Sequence, residues 1–537
     1  MQTRLEIEYG RLWLVLLTVT ALTVSGCAMV GPDFVTPQAQ VEQEWLEAND
    51  PRIRTESDDY RQWWSVFNDP VLTTLIESAY RQNLPLQIAG LRIMEARALL
   101  GIATGNLYPQ VQQGRGDMGY TRISENTANT AAGFDQRYWE ASVGFDAAWE
   151  LDVWGKFRRA IESGEANLAA SVADYDDLLV TLTAEVARTY VVSRTLGARL
   201  AVARQNVGIQ EKSLQIANVR FEAGAVTELD VQQAKALLTN TQALIPGLEA
   251  SLRQAQNALA ILLGKLPGEV DDMLHGPGSI PRYPPEVVVS VPAELLRRRP
   301  DVRLAEYQLA TQSPLVGVAK AELYPAFELF GSIGLRSADS NLTAAGGSDF
   351  ADLLNADSIE IFAGPGFRWN LFNYGRIKNK VRVEDARFQQ LVVNYENTVL
   401  RAQQEVEDAL IGFLKSQEQE SFLRQSVAAA KRSVDLSMIQ YREGLADYQR
   451  VLDSQRFLTD QQDQQVSISG QVVTNLIATY KALGGGWQIR EGRQLVPADT
   501  LEEMRQRTDW GNLLAPEQAL QLQIPPEERG RWRRPDW

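Results

Sequence analysis

Shifted by 220 residues, the chain nearly superimposes on itself. Trp149-Glu150-Leu151-Asp152-Val153-Trp154-Gly155-Lys156 returns as Trp369-Asn370-Leu371-Phe372-Asn373-Tyr374-Gly375-Arg376, Glu185-Val186 as Glu405-Val406, and Phe221-Glu222-Ala223-Gly224 as Tyr441-Arg442-Glu443-Gly444. A shift of 216 carries Leu107-Tyr108-Pro109 onto Leu323-Tyr324-Pro325. One supersecondary unit used twice constrains the fold more than length does. A chain of 537 residues would suggest about three domains, whereas a repeat calls for two interleaved halves of one elongated body.

Residues 12 to 24 form an apolar run behind Arg4 and Arg11 that closes on Val24-Ser25-Gly26-Cys27. The run is shorter than the roughly 20 residues of a transmembrane helix, so residues 1–26 read as a secretory signal. Cys27 is the only cysteine, which excludes an internal disulfide and leaves a zinc or redox pair without its second thiol. A lone cysteine behind small residues is similar to the acylated cysteine of bacterial lipoproteins, whose chains hold an N-terminus in a leaflet. Ala28 follows it instead of the aspartate that resembles an inner-membrane retention signal, which favours the outer membrane. The formal charge of −15 argues against nucleic-acid binding, which wants a basic footprint.

From Lys156 to about Val219 there is no proline, and apolar positions recur at three- and four-residue spacings; Arg376 to Ile439 repeats the pattern. Helices of about 60 residues would run on the order of 90 Å and need a partner along their whole length. Shorter helices are expected at Pro70 to Leu107, Val226 to Leu263, Val302 to Leu323 and Leu445 to Leu483, with a bend or break at Pro246. After each long helix a glycine, Gly224 or Gly444, is placed to reverse the chain with positive φ into an antiparallel hairpin. Pro109 and Pro325 are expected to end helices where strands begin.

Each long helix follows a strand with clean alternation. Trp139, Ala141, Val143, Phe145, Ala147, Trp149 and Leu151 share one face, with Glu140, Ser142, Gly144, Asp146, Ala148 and Glu150 on the other. Ile359, Ile361, Ala363, Pro365, Phe367 and Trp369 likewise oppose Glu360, Phe362, Gly364, Gly366 and Arg368. Upstream partners are expected at about 111–120, where the pattern is weak, and at 327–336. Strands of about ten residues, apolar outside and polar inside, have the signature of an outer-membrane barrel, with a half-buried soluble sheet as the alternative. Four strands leave two open edges that lipid cannot satisfy, so copies of the chain must pool their strands. A dimer would supply eight and a trimer twelve; the small inward residues Gly144, Ala148, Gly364 and Gly366 favour twelve, which leave an aqueous lumen.

On these residues the chain resembles the lipoprotein, NodT-type members of the TolC and OprM-like outer membrane factors. The resemblance is carried by Trp63-Trp64-Ser65-Val66-Phe67-Asn68-Asp69-Pro70-Val71-Leu72, Leu107-Tyr108-Pro109, Trp149 to Gly155, Leu295-Leu296-Arg297-Arg298-Arg299-Pro300-Asp301-Val302, Tyr441 to Tyr448 and Val451-Leu452-Asp453-Ser454-Gln455, spanning about 27 to 490. It implies an internally duplicated mixed α/β membrane protein: a homotrimer whose twelve-stranded β-barrel, four strands per protomer, continues as a long periplasmic α-helical barrel with an equatorial domain. Its parts would be a signal peptide (1–26), an acylated tether (27–69), a first repeat (70–263), a connection (264–292), a second repeat (293–483) and an equatorial wrap or tail (484–537). Such a duct receives small amphiphilic or toxic compounds from a periplasmic adaptor and an inner-membrane resistance-nodulation-division pump. A type I secretion duct and a periplasmic coiled-coil adaptor are the alternatives.

The resemblance puts function at the two tips. Tyr441, Arg442, Glu443 and Asp447, with Glu222, Glu228 and Asp230 on the neighbouring hairpin, are expected to supply contacts or charges at a periplasmic constriction. Three copies of a carboxylate around an axis repel unless cations relieve them. Gly224 and Gly444 are expected to define the hairpins that meet the adaptor. Arg297-Arg298-Arg299 reads as a basic last helical turn, and Trp63 and Trp64 as anchors packing the tether onto the body. The only histidine, His275, leaves no cluster for zinc and no base for a serine, so no catalytic group, metal or cofactor is expected.

Overall fold

A computed structural model of the chain describes residues 29–54, 56, 59–126, 135–274, 278–289, 292, 298–340 and 347–514. Cys27, His275 and Arg297 lie outside the described residues. In chain order the elements are β1 (Ile53–Arg54), α1 (Pro70–Gln82), α2 (Leu84–Gly105), β2 (Val111–Arg122), β3 (Arg137–Leu151), α3 (Lys156–Glu222), α4 (Glu228–Leu262), β4 (Val287–Val288), α5 (Pro300–Ala321), β5 (Ala326–Ala338), β6 (Ile359–Arg368), α6 (Arg376–Arg442), α7 (Tyr448–Ala482) and α8 (Ala498–Arg507).

The two long helices, α3 and α6, are each 67 residues, roughly 100 Å at the helical rise. Each begins behind a glycine with positive φ, Gly155 (+76°) and Gly375 (+82°). Each is followed by a 35-residue antiparallel helix, α4 or α7. Their length is sustained by burial: Leu179, Val186, Tyr190 and Val191 of α3 meet Val406, Leu410 and Phe413 of α6 and Val472 and Leu476 of α7 in one core.

The first expected short helix is two helices. Asn83 stands between α1 and α2 in extended conformation, its side chain accepting from the Leu86 amide at 2.9 Å and donating to the Leu262 carbonyl at 2.9 Å. Pro85 just inside α2 suits a fresh helix start, which explains the restart. Pro246, by contrast, does not break α4. It lies on an exposed face with Gln242, whose freed carbonyl water can satisfy.

The four longer strands form one antiparallel sheet in the order β2-β3-β5-β6. The registers Val111↔Ala148, Ala148↔Phe330 and Phe330↔Gly364 fix which residues share a face. One face carries Met118, Tyr120, Trp139, Val143, Phe145, Leu329, Ile333, Ile361 and Phe367, all exposed in the single chain. The other carries Arg115, Asp117, Glu140, Asp146, Glu150, Glu328, Arg336, Glu360 and Arg368, while Arg122 and Arg137 end the first face. No helix among the described residues is long and apolar enough to cross a membrane.

Sheet and helices meet at equivalent joints. The Trp149 indole donates to the Leu107 carbonyl, and the Trp369 indole to the Leu323 carbonyl, each at 3.0 Å. Pro109 lies between α2 and β2, and Pro325 between α5 and β5. The repeats are also stitched together, because the Trp154 indole donates to the Pro325 carbonyl at 2.8 Å.

Around the middle of the long helices a mixed layer collects the chain's outer segments. β1 pairs in parallel with β4, and Trp63 and Trp64 are buried, the Trp63 ring stacked 5.5 Å from Tyr480. Asp176 of α3, fully buried, receives both Arg490 and, at 3.6 Å, Arg303. Arg299 is no part of a basic last turn: it precedes α5, is buried, and ties Asp301 and Glu405, each at 2.7 Å, to the Ala482 carbonyl. A side chain aimed inward at three acceptors is needed for packing, which a sequence run of arginines does not disclose.

Candidate functional site

Both hairpin tips are built alike. At the end of α3 the Ala225 amide donates to the Arg220 carbonyl, and at the end of α6 the Leu445 amide donates to the Gln440 carbonyl, each at 2.8 Å. Gly224 and Gly444 occupy the turning positions with φ of +71° and +75°. Asp447 is the N-cap of α7, accepting from the Arg450 amide at 3.4 Å, whereas Thr227 at the start of α4 makes no such bond.

Inside the tip the two repeats share a small core of Ala217, Ala234, Leu237, Tyr441, Tyr448, Val451 and Leu452. The Tyr441 and Tyr448 rings lie 5.3 Å apart edge to face. Tyr441 points its hydroxyl toward Asp230 at 3.5 Å, and burial, reinforced by the Asp230 charge, pushes its ionisation up to about 12. It is therefore a neutral donor. Arg220 of α3 reaches across to donate to the Tyr441 and Arg442 carbonyls while its guanidinium sits 4.7 Å from the Tyr441 ring centroid.

Of the tip residues singled out from the sequence, the structure brings Tyr441 and Asp230 together. Arg442, Glu443, Asp447, Glu222 and Glu228 are exposed around them. The sequence reading passes over Arg220, although the repeat holds a signal: its counterpart in the second half is Gln440, so this position carries a cation in the first half only. It also ends a seven-residue series along α3. Arg199 pairs with Asp463 at 2.7 Å, Asn206 donates to Gln462 at 2.9 Å, and Ser213 accepts from Gln455 at 2.6 Å. A heptad spacing keeps one helix face on its neighbour, here with polar side chains at the seam.

The far end of the molecule offers a polar wall. On the charged face of the sheet Ser142 donates to Asp117 at 2.6 Å, Arg368 pairs with Glu328 at 2.6 Å, Arg115 stands 3.8 Å from Asp146, and Arg336 bridges Glu140 and Glu360. Thus one chain combines a sheet that is apolar on one side and hydrophilic on the other with two helical tips far below it. The family profile described as "Outer membrane efflux protein" matches residues 75–265 and 291–485, most of both halves.

The chain belongs to the outer membrane efflux protein family. This efflux protein is similar to Nodulation protein T of Rhizobium leguminosarum bv. trifolii, 30% identical over 82% of this chain and 90% of that protein. It is 31% identical to the pyoverdine export outer membrane protein OpmQ of Pseudomonas putida over 80% of this chain and 88% of that one. Among solved structures the outer-membrane channel OprN superposes with a TM-score of 0.78 at 31% identity, covering 86% of this chain and 99% of that one. CusC follows the same course with a TM-score of 0.72 at 27% identity, over 85% and 100%. The efflux protein thus resides in the outer membrane and serves as an exit duct for an efflux system. Among its described residues no group of three His, Cys, Asp or Glu is placed to hold a metal ion.

Proposed function

We propose that three copies of this chain close their sheets into one twelve-stranded barrel, continued below by a barrel of long helices. The sheet carries the reading: among the described residues β2 and β6 have no further strand beside them, and a neighbour's β2 laid against β6 would continue the antiparallel alternation. Closure would satisfy the edge amides that lipid cannot, with the apolar face outward and the charged face lining water. An acylated Cys27 would anchor each protomer. The arrangement suits two repeats at 70–263 and 293–483, since each supplies one strand pair, one 67-residue helix and one 35-residue helix.

The helical tips form the periplasmic entrance, constricted at rest and opened when a periplasmic adaptor and a resistance-nodulation-division pump dock around Gly224 and Gly444. Cargo, small amphiphilic or toxic compounds, is chosen mainly by the pump. Opening would separate the first hairpin from the second, and the polar seam ending at Arg220 is what holds them. The exposed Arg442, Glu443 and Asp447, with Glu222 and Glu228, would set the charge of the entrance. Tyr441 and Asp230 act from within the tip core.

The decisive experiment measures mass and conductance together. Purified protein should behave as a trimer in detergent and form long-lived channels in planar bilayers. A monomer that neither inserts nor conducts would overturn the reading.

A further inference from the structure

We propose that Phe330 and Phe362 form a contact site for organic cations with an apolar body on the inner wall of the duct, a proposal that rests on the barrel reading above. The hydrophilic face of the sheet is interrupted at one level. Val111, Ala148, Phe330 and Gly364 lie opposite one another in register across all four strands, so this row contains no polar side chain. Phe362, in the next row, is 61% exposed on the same face, its ring 5.5 Å from that of Phe330. Gly366 makes room for the pair, since a Cβ there would stand 2.8 Å from Cε1 of Phe330. Nothing lies within 4 Å of a Cβ placed on Gly364, so the hollow beside the rings opens into the lumen. In a closed barrel the row becomes an apolar belt one residue high.

Charge complementarity names the occupant. Asp146 lies in the row above the belt, sharing a rung with Ser332 and Phe362, and Glu150 and Glu328 share a rung on the other side. Glu360 is two residues from Phe362 on the same strand. Glu328 and Glu150 have close partners in Arg368 (2.6 Å) and Lys156 (2.9 Å). Asp146 and Glu360 are held more loosely: Asp146 accepts from the Gln113 side-chain amide at 3.4 Å and stands 3.8 Å from Arg115, and Glu360 stands 3.9 Å from Arg336. Counting the next rungs, the carboxylates Asp117, Glu140, Asp146 and Glu360 face only two guanidiniums, Arg115 and Arg336. Aromatic faces beside an excess of carboxylate are the chemistry that attracts a poorly hydrated cation, and they disfavour an anion of the same size. The cost of an apolar ring facing water is thus offset when such a molecule passes.

The test uses the intact channel in a planar bilayer in KCl, with tetraphenylphosphonium added on the side of the strand-connecting loops and tetraphenylborate as the size-matched anion. Tetraphenylphosphonium should give brief current blockades whose dwell shortens about tenfold in F330S/F362S and less in F330L/F362L, which keeps the apolar area but loses the ring faces. D146N/E360Q, which leaves both rings in place, should shorten the dwell as well. Equal blockade by tetraphenylborate, or unchanged dwell in the Leu pair and in D146N/E360Q, would overturn the site while KCl conductance persists. Loss of all KCl conductance in the unaltered protein would overturn the duct reading and the site with it.

Discussion

Arg220 and Tyr441 join the two halves of the molecule at its tip. The guanidinium lies under the Tyr441 ring, 4.7 Å from its centroid, and donates to the Tyr441 carbonyl, one of the last in α6. A cation at a helix C-terminus is stabilised by the unsatisfied carbonyls and the helix dipole there. Because α3 belongs to one repeat and α6 to the other, this single contact resists their separation.

Replacing Arg220 with Gln, the residue its counterpart carries, should therefore loosen the tip. Loss of a charge-assisted bond and a ring contact is on the order of 1–2 kcal/mol, about a tenfold shift toward open tips. Single-channel recording checks this; Arg220→Gln channels with the conductance and open probability of the parent would show that the contact holds nothing shut.

Tyr441 separates a packing role from a pore-lining one. Its ring is buried with Tyr448, while its hydroxyl reaches Asp230 only at 3.5 Å, so Tyr441→Phe should change tip stability by less than about 1 kcal/mol. Tyr441→Ala should cost roughly 3–5 kcal/mol through the cavity it leaves. Hydrogen exchange at the tip distinguishes the two, and equal protection in both variants would place the side chain's role elsewhere.

At Gly224 a Cβ would meet nothing within 4 Å, so any cost of substitution there is backbone conformation alone. With φ at +71°, Gly224→Val should cost about 1–2 kcal/mol and Gly224→Asn markedly less. Crosslinking to the adaptor at this turn should fall in the same order. Valine and asparagine behaving alike would contradict the strain argument.

The sheet is sensitive for a different reason. Gly144 and Gly334 oppose each other across β3 and β5, and a Cβ on Gly144 would sit 2.9 Å from the Ile333 carbonyl oxygen and 3.0 Å from the Gly334 Cα. Gly144→Val must part the strands, and trimers resistant to detergent at moderate temperature should be lost. Trimers of unchanged heat resistance would mean that the strands are not held this closely.

Asp177 on α3 gives the efflux protein a pH-dependent weakness. Burial, with Asp301 and Asp174 nearby outweighing Arg299 and Lys481, pushes its carboxyl from 3.8 up to about 6. The folded chain then binds this proton more tightly than the unfolded one, so the group favours folding below about pH 4 and loses that contribution as pH rises through 6. Asp177→Asn should consequently stabilise at pH 8 by on the order of 2 kcal/mol, with no difference near pH 3. Thermal unfolding in detergent at both pH values tests the sign; stabilisation at low pH instead would refute it.

What the sequence alone determined was whatever is periodic or local. The repeat, the two proline-free helices, the alternating strands β3 and β6 and the glycine turns each follow from residue types at short range, where side-chain period and backbone φ leave few choices. The weak β2 pattern is explained by register: Gln112, Gly114 and Gly116 lie beside Ala147, Phe145 and Val143, so neighbours supply the apolar surface that β2 lacks. Tertiary structure alone decided the rest. Arg299 turned inward, Asp176 buried beneath two arginines, Phe330 level with Val111 and Arg220 under Tyr441 all pair residues distant in the chain. Their free energies arise from desolvation and geometry that exist only once the two halves have packed.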